Sequence, residues 1–126
     1  MLKNVLLVGL GGFLGSTCRY LTYYLIDRKI ESLYPWSTFT VNIVGSLILG
    51  LLLGFIAKAN LANDHLRLIF AVGFCGSFTT FSSFMYENLY LFQQKAYSTS
   101  ILYLIGSIIL GFIAVFAGQA VGKSMI

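Results

Sequence analysis

The sequence predicts an all-α membrane protein of four transmembrane helices, with a break in the third. Three observations carry this. Of 126 residues, 58% are apolar and only 10% are charged, against roughly 25% charged in an ordinary soluble domain, and the mean hydropathy is +0.87. Four apolar segments, at about 3–27, 36–57, 66–93 and 99–121, each reach the roughly 20 residues that a spanning helix needs. Within the third segment, Gly73 to Phe84 holds two glycines, five hydroxyl side chains and four phenylalanines, without a charge. A chain this short predicts one domain, 1–126.

The first segment begins with Lys3 and an apolar run. A secretory signal peptide starts in the same way, but here apolar sequence continues past any plausible cleavage point and beyond Arg19. A retained first span is expected. Gly11, Gly12, Gly15 and Ser16 form small-xxx-small spacings that allow close helix approach. Gly9 and Gly11 lack the preceding strand that a nucleotide-binding loop requires. Arg19 lies inside the span, where a charge must face water, a partner or an interface. It either snorkels to one surface or lends positive potential to a water-filled mouth. Tyr20 and Leu21 to Ile26 lie between it and the first loop, which favours the mouth.

The first connection carries Asp27, Arg28, Lys29 and Glu31 and ends at Pro35, the only proline. Tyr34 and Trp36 suit a headgroup belt. In the second span, Ser46, Gly50 and Gly54 recur every four residues as a packing stripe. Asn42 is a lone amide in this apolar run. It serves either an interhelical hydrogen bond or as a donor aimed at an anion. The second connection, 58–67, holds the sole histidine, His65, to which no chemistry is assigned.

The third span is longer than a straight crossing needs. A break near Gly76 to Thr80 would use the excess. Glycine permits unusual backbone conformations, and serine and threonine satisfy backbone groups that a broken helix frees. Non-helical backbone at membrane depth must be buried in protein or line a cavity. Phe78, Phe81 and Phe84 are spaced by three, so neighbours in the series should share a helix face. Glu87 follows on about the same side, as an interfacial carboxylate or an ion-coupling group. In the fourth span, Tyr103, Ser107 and Gly111 form a row suited to a polar track. Ala114, Gly118 and Gly122 form a packing row. Cys18 and Cys75 sit singly in apolar segments and read as small buried residues.

Net charge is +4, spread through ends and connections. This indicates contact with anionic lipid and carries no nucleic-acid signal. Lys3, Lys58, Arg67 and Lys123 fall on one side of a four-span chain; Arg28, Lys29 and Lys95 fall on the other. Orientation follows the Lys/Arg bias, and here the sides nearly balance. Insertion in both orientations is expected, and with it an antiparallel dimer whose axis lies in the membrane plane. The groups at mid-depth are the Asn42 amide, hydroxyls, phenyl edges and Arg19. They suit a small anion, while cation paths show acidic rings or organised carbonyls.

Three motifs then match a known pattern. Gly11-Gly12-Phe13-Leu14-Gly15 with Arg19-Tyr20, Thr40-Val41-Asn42-Ile43-Val44-Gly45-Ser46, and Gly73-Phe74-Cys75-Gly76 leading into Thr79-Thr80-Phe81-Ser82-Ser83-Phe84 occur in order. Together they resemble the Fluc/CrcB family of small fluoride channels, across all four spans. The resemblance implies a channel rather than an enzyme. It implies a dual-topology homodimer in a prokaryotic plasma membrane, with two antiparallel fluoride pores exporting fluoride passively. By the same resemblance the pore falls on Asn42, Thr80, Phe81, Ser82, Ser83, Phe84, Tyr103 and Ser107, with Arg19 in the vestibule. A structural sodium ion (Na+) would be held by the backbone carbonyls of Gly76 and Thr79 from both subunits. Two departures stand out: Gly111 replaces a track hydroxyl, and Phe78 adds an aromatic. The alternative is a small proton-coupled multidrug exporter, for which Glu87 is the one candidate carboxylate. A membrane scaffold is a further alternative, but it would not need a polar and aromatic cluster at mid-depth.

Overall fold

The computed structural model describes residues 1–60 and 64–125; the middle of the second connection, 61–63, lies outside the described residues. Helix α1 covers Leu2–Lys29 and α2 covers Trp36–Ala59. The third span, Asp64–Gln93, is assembled from pieces. One turn, α3 (Asp64–Leu66), leads into a π-helical run, Arg67–Cys75, and then into α4 (Gly76–Phe78). The chain breaks and resumes as α5 (Phe81–Gln93), and α6 (Tyr97–Ser124) follows. All four spans are long and apolar enough to cross a membrane, and the third is interrupted as the residue pattern predicts.

The break falls in the expected interval, but on its threonines rather than its glycines. Thr79 (φ −83°, ψ 161°) and Thr80 (φ −149°, ψ 118°) are extended. That conformation suits β-branched residues. Gly76 stays helical at φ −62°, ψ −31°, and no described glycine has positive φ.

Glycine acts instead through close approach. A Cβ on Gly11 would lie 1.9 Å from the Ile69 carbonyl oxygen, and one on Gly73 would lie 2.7 Å from that of Val8. Thus α1 presses directly on the π-helical backbone. On the other side, the two predicted packing rows interlock. A Cβ on Gly50 would lie 2.2 Å from the Val115 oxygen, and one on Gly118 would lie 2.3 Å from the Leu47 oxygen. Small residues replace bulky ones at these seams because lipid provides no hydrophobic drive between helices, so dispersion at short range must hold them.

The bulky apolar residues mostly point outward. Phe13, Phe112 and Phe116 are exposed, whereas Ser37, Thr38 and Ser100 are buried. The small aromatic and aliphatic core is Phe84, Leu91 and Tyr103. Tyr34 in the first connection packs edge-on against Tyr103, with ring centroids 5.3 Å apart, and against Phe39. The Ser37 hydroxyl donates to Asp27 Oδ1, which ties the end of α1 to the start of α2.

Candidate functional site

The break exposes backbone groups, and side chains from two other spans take them up. In a continuous helix the Thr80 N–H would donate to the Gly76 carbonyl. Here it donates to Asn42 Oδ1 at 2.8 Å. Asn42 Nδ2 donates back to the Thr80 carbonyl at 3.2 Å. One amide therefore clamps both polar groups of a single residue. Thr80 also caps α5, its Oγ1 accepting from the Ser83 N–H at 3.3 Å. From α1, Arg19 Nε donates to the Ser77 carbonyl at 3.0 Å. So Arg19 does not snorkel to an end of its span; it is anchored on the break. The guanidinium has further N–H groups beyond Nε, and Arg19 lines a recess of about 550 Å³ with Tyr20, Tyr23 and Asp27.

Several expected residues meet around one groove. Asn42, Gly76, Thr79, Thr80, Phe81 and Phe84 line a space of about 300 Å³. No acidic or basic side chain lines it. Asn42 retains one amide hydrogen beyond its bond to Thr80. Phe81 is 72% exposed and Phe84 is 7% exposed, with ring centroids 6.4 Å apart. Phe78 does not join their face. It is buried and stacks on Phe74 at 5.5 Å. The extended residues between Phe78 and Phe81 interrupt the helical phase on which the expected sharing depended.

A second cluster draws one residue from each span. Tyr103 OH donates to Glu87 Oε1 at 2.8 Å, and Thr38 Oγ1 donates to Glu87 Oε2 at 2.7 Å. The Tyr23 hydroxyl meets Thr38 Oγ1. Thr38 spends its only hydrogen on Glu87, so Tyr23 is the donor in that pair. The Tyr103 ring meets Phe84 edge-on at 4.9 Å, which joins this cluster to the groove. Glu87 is therefore a half-buried carboxylate held from both α2 and α6. Ser82 and Ser83 line a shallow recess with Tyr86 and Glu87.

Sequence reasoning weighed Glu87 but gave no role to Thr38 or Tyr23. A signal was present: Thr38, Asn42 and Ser46 follow at intervals of four and mark one polar face of α2. Ser107, expected in the track, does not reach the cluster. Its Oγ is buried without a hydrogen-bond partner among the described residues. At the Gly111 departure, a Cβ would lie 3.9 Å from Ser46 Oγ. A serine would fit there, so packing does not account for the missing hydroxyl, and Ser46 supplies one from α2.

Comparisons with known proteins bear on the family to which the sequence belongs. A family profile described as CrcB-like protein, Camphor Resistance (CrcB), matches residues 6–119. A protein of Azobacteroides pseudotrichonymphae named fluoride-specific ion channel FluC is 44% identical over 118 residues, 94% of each chain. One of the same name from Flavobacterium psychrophilum is 36% identical over 124 residues, covering 98% of this chain and all of the other. Another, from Agrobacterium fabrum, is 40% identical over 122 residues, covering 97% and 98%. The matched region takes in the glycine-rich face of α1, the Asn42 clamp, the broken span and the track of α6, and this chain is therefore a member of the CrcB-like family, a multi-pass membrane protein.

Proposed function

We propose that this chain is a fluoride-selective channel of a prokaryotic plasma membrane, working as an antiparallel dual-topology homodimer that lets cytoplasmic fluoride leave down its gradient. The observation that carries the reading is the uncharged groove at the break, in a chain 44% identical to a named fluoride-specific channel. Fluoride is strongly hydrated, so a pore must replace its shell with donors without trapping it behind a full charge. The spare hydrogen of Asn42, the hydroxyls of Thr80, Ser82 and Ser83, and the positive edges of Phe81 and Phe84 are such donors. Tyr103 orients Phe84 from behind. Arg19 raises the anion concentration at the mouth. The near balance of Lys and Arg between the two sides supports insertion in both orientations.

The residues at the break also fit a sodium ion. The Gly76 carbonyl loses its helical donor when Thr80 N–H turns to Asn42, and a Cβ on Gly76 would meet nothing closer than 3.9 Å. Open oxygen ligands of this kind suit a hard cation. Gly76 and Thr79 of two subunits would hold it, and it would supply positive charge where broken helices meet.

Glu87, half-buried and held by Tyr103 and Thr38, is the observation that favours the rival, a proton-coupled multidrug exporter. Liposome efflux separates the two. Purified protein, loaded with fluoride or chloride and monitored with ion-selective electrodes, should release fluoride rapidly without a proton gradient, and chloride hardly at all. Absence of fluoride efflux from well-folded protein would overturn the channel reading.

A further inference from the structure

We infer that Asn42 and Thr80 are positioning residues that present the backbone carbonyls at the break to a cation, and that Arg19 withholds a neighbouring carbonyl from it. The inference rests on the sodium reading above and concerns which oxygens are available. In an uninterrupted helix, Gly76, Ser77 and Thr79 would receive the N–H groups of Thr80, Phe81 and Ser83. Two of these donors are diverted by side chains. Thr80 N–H goes to Asn42 Oδ1 at 2.8 Å, which releases Gly76. The extended backbone takes the Thr79 carbonyl away from Ser83 N–H, an orphan donor of the first turn of α5, and Thr80 Oγ1 accepts that N–H at 3.3 Å instead, so nothing draws it back to Thr79. The Ser77 carbonyl is also released by the break, but Arg19 Nε occupies it at 3.0 Å.

The sorting has a physical basis. A buried amide N–H is costly to leave unpaired, so without an outside acceptor Thr80 N–H would return to Gly76 and the helix would close. Asn42 supplies that acceptor, and its Nδ2 holds the Thr80 carbonyl at 3.2 Å, so the peptide cannot rotate back. Thr80 Oγ1 performs the same service for Ser83. Arg19 reaches its carbonyl from α1, which Gly15 brings close: a Cβ there would lie 2.3 Å from the Phe74 oxygen. The break likewise takes the Ser82 N–H from the Phe78 carbonyl, so Gly76, Phe78 and Thr79 are freed while Ser77 among them is blocked. A bound cation would thus meet a defined set of oxygens, with the Ser77 carbonyl already taken by Arg19.

The test is thermal unfolding of the full protein in detergent, with sodium chloride exchanged for N-methyl-glucamine chloride at constant ionic strength. A ligand bound only to the folded state raises Tm by mass action. In the unsubstituted protein, about 100 mM sodium should raise Tm by about 4 °C over about 1 mM. Asn42→Leu and Thr80→Val should abolish the rise, and Thr80→Ser, which restores the capping oxygen, should recover it. Ser100→Ala removes a bond to Asn88 elsewhere in the protein; it should lower the baseline Tm and keep the full sodium response. A merely structural role for Asn42 would lower the baseline in the same way. If Asn42→Leu does not fold, the Thr80→Val and Thr80→Ser pair decides. A sodium response that survives Thr80→Val or Asn42→Leu overturns this inference alone. Absence of any sodium response in the unsubstituted protein overturns the sodium reading and this inference with it.

Discussion

Replacing Tyr103 with phenylalanine removes one oxygen from the most enclosed aromatic residue of the chain. Tyr103 is fully buried, and its ring packs on Phe84 at 4.9 Å and on Tyr34 at 5.3 Å. Phenylalanine keeps both contacts and leaves no cavity larger than a hydroxyl. The loss is then the 2.8 Å hydrogen bond to Glu87. A hydrogen bond to a charged group is worth about 1.5–3 kcal/mol. Thr38 still holds the other carboxylate oxygen at 2.7 Å, so the carboxylate is not left bare, and about 2 kcal/mol is the expected cost. Were all of that felt at the permeation barrier, efflux would fall about 30-fold. The clean measurement is a double-mutant cycle with Glu87→Leu, read by reversible unfolding. Tyr103→Phe should cost about 2 kcal/mol in the parent and be neutral to stabilising in the Glu87→Leu background, where the buried hydroxyl would be left without an acceptor. Contacting pairs couple by about 0.5–3 kcal/mol, while independent sites add to within about 0.5 kcal/mol. Additive costs would refute the reasoning, because they would mean that the two side chains are not joined in the folded protein.

Other expectations follow from the same geometry. Phe81→Ile should cut fluoride efflux at least about tenfold, a ΔΔG‡ of about 1.4 kcal/mol; unchanged efflux would remove Phe81 from the pathway. Phe84→Ala, at a buried position, should cost about 3–5 kcal/mol, visible as a much lower Tm. Gly118→Ala places a methyl group 2.3 Å from the Leu47 oxygen, so α2 and α6 must separate; about 1–3 kcal/mol should be lost, and an unaltered Tm would contradict the close approach. Arg19→Met removes the bond to Ser77 along with the positive charge. It should lower Tm and slow fluoride efflux most at low ionic strength, where an unscreened charge matters most.

Much of this protein is legible along a single strand of text. The four apolar runs follow from the demand that lipid-exposed backbone satisfy itself. The rows Gly50–Gly54 and Gly118–Gly122 announce a close seam because their spacing alone puts them on one face of a helix. The third span advertises its break by excess length and by hydroxyls inside an apolar run. Hydropathy, period and length are local properties, and each can be counted without knowing where any other segment lies.

What the tertiary structure decided depends on how far each helix is rotated and raised relative to the others, which no spacing within one helix encodes. Asn42 could have aimed its amide at a neighbour or at an ion; it clamps Thr80. Arg19 could have reached for a membrane surface; it holds the Ser77 carbonyl. Glu87 reads as a residue near a helix end until Thr38 and Tyr103 close on it from α2 and α6. Even the break, placed to within a few residues by composition, settled on Thr79 and Thr80 rather than on glycine. The acceptor that holds it open comes from another helix, 38 residues earlier in the chain.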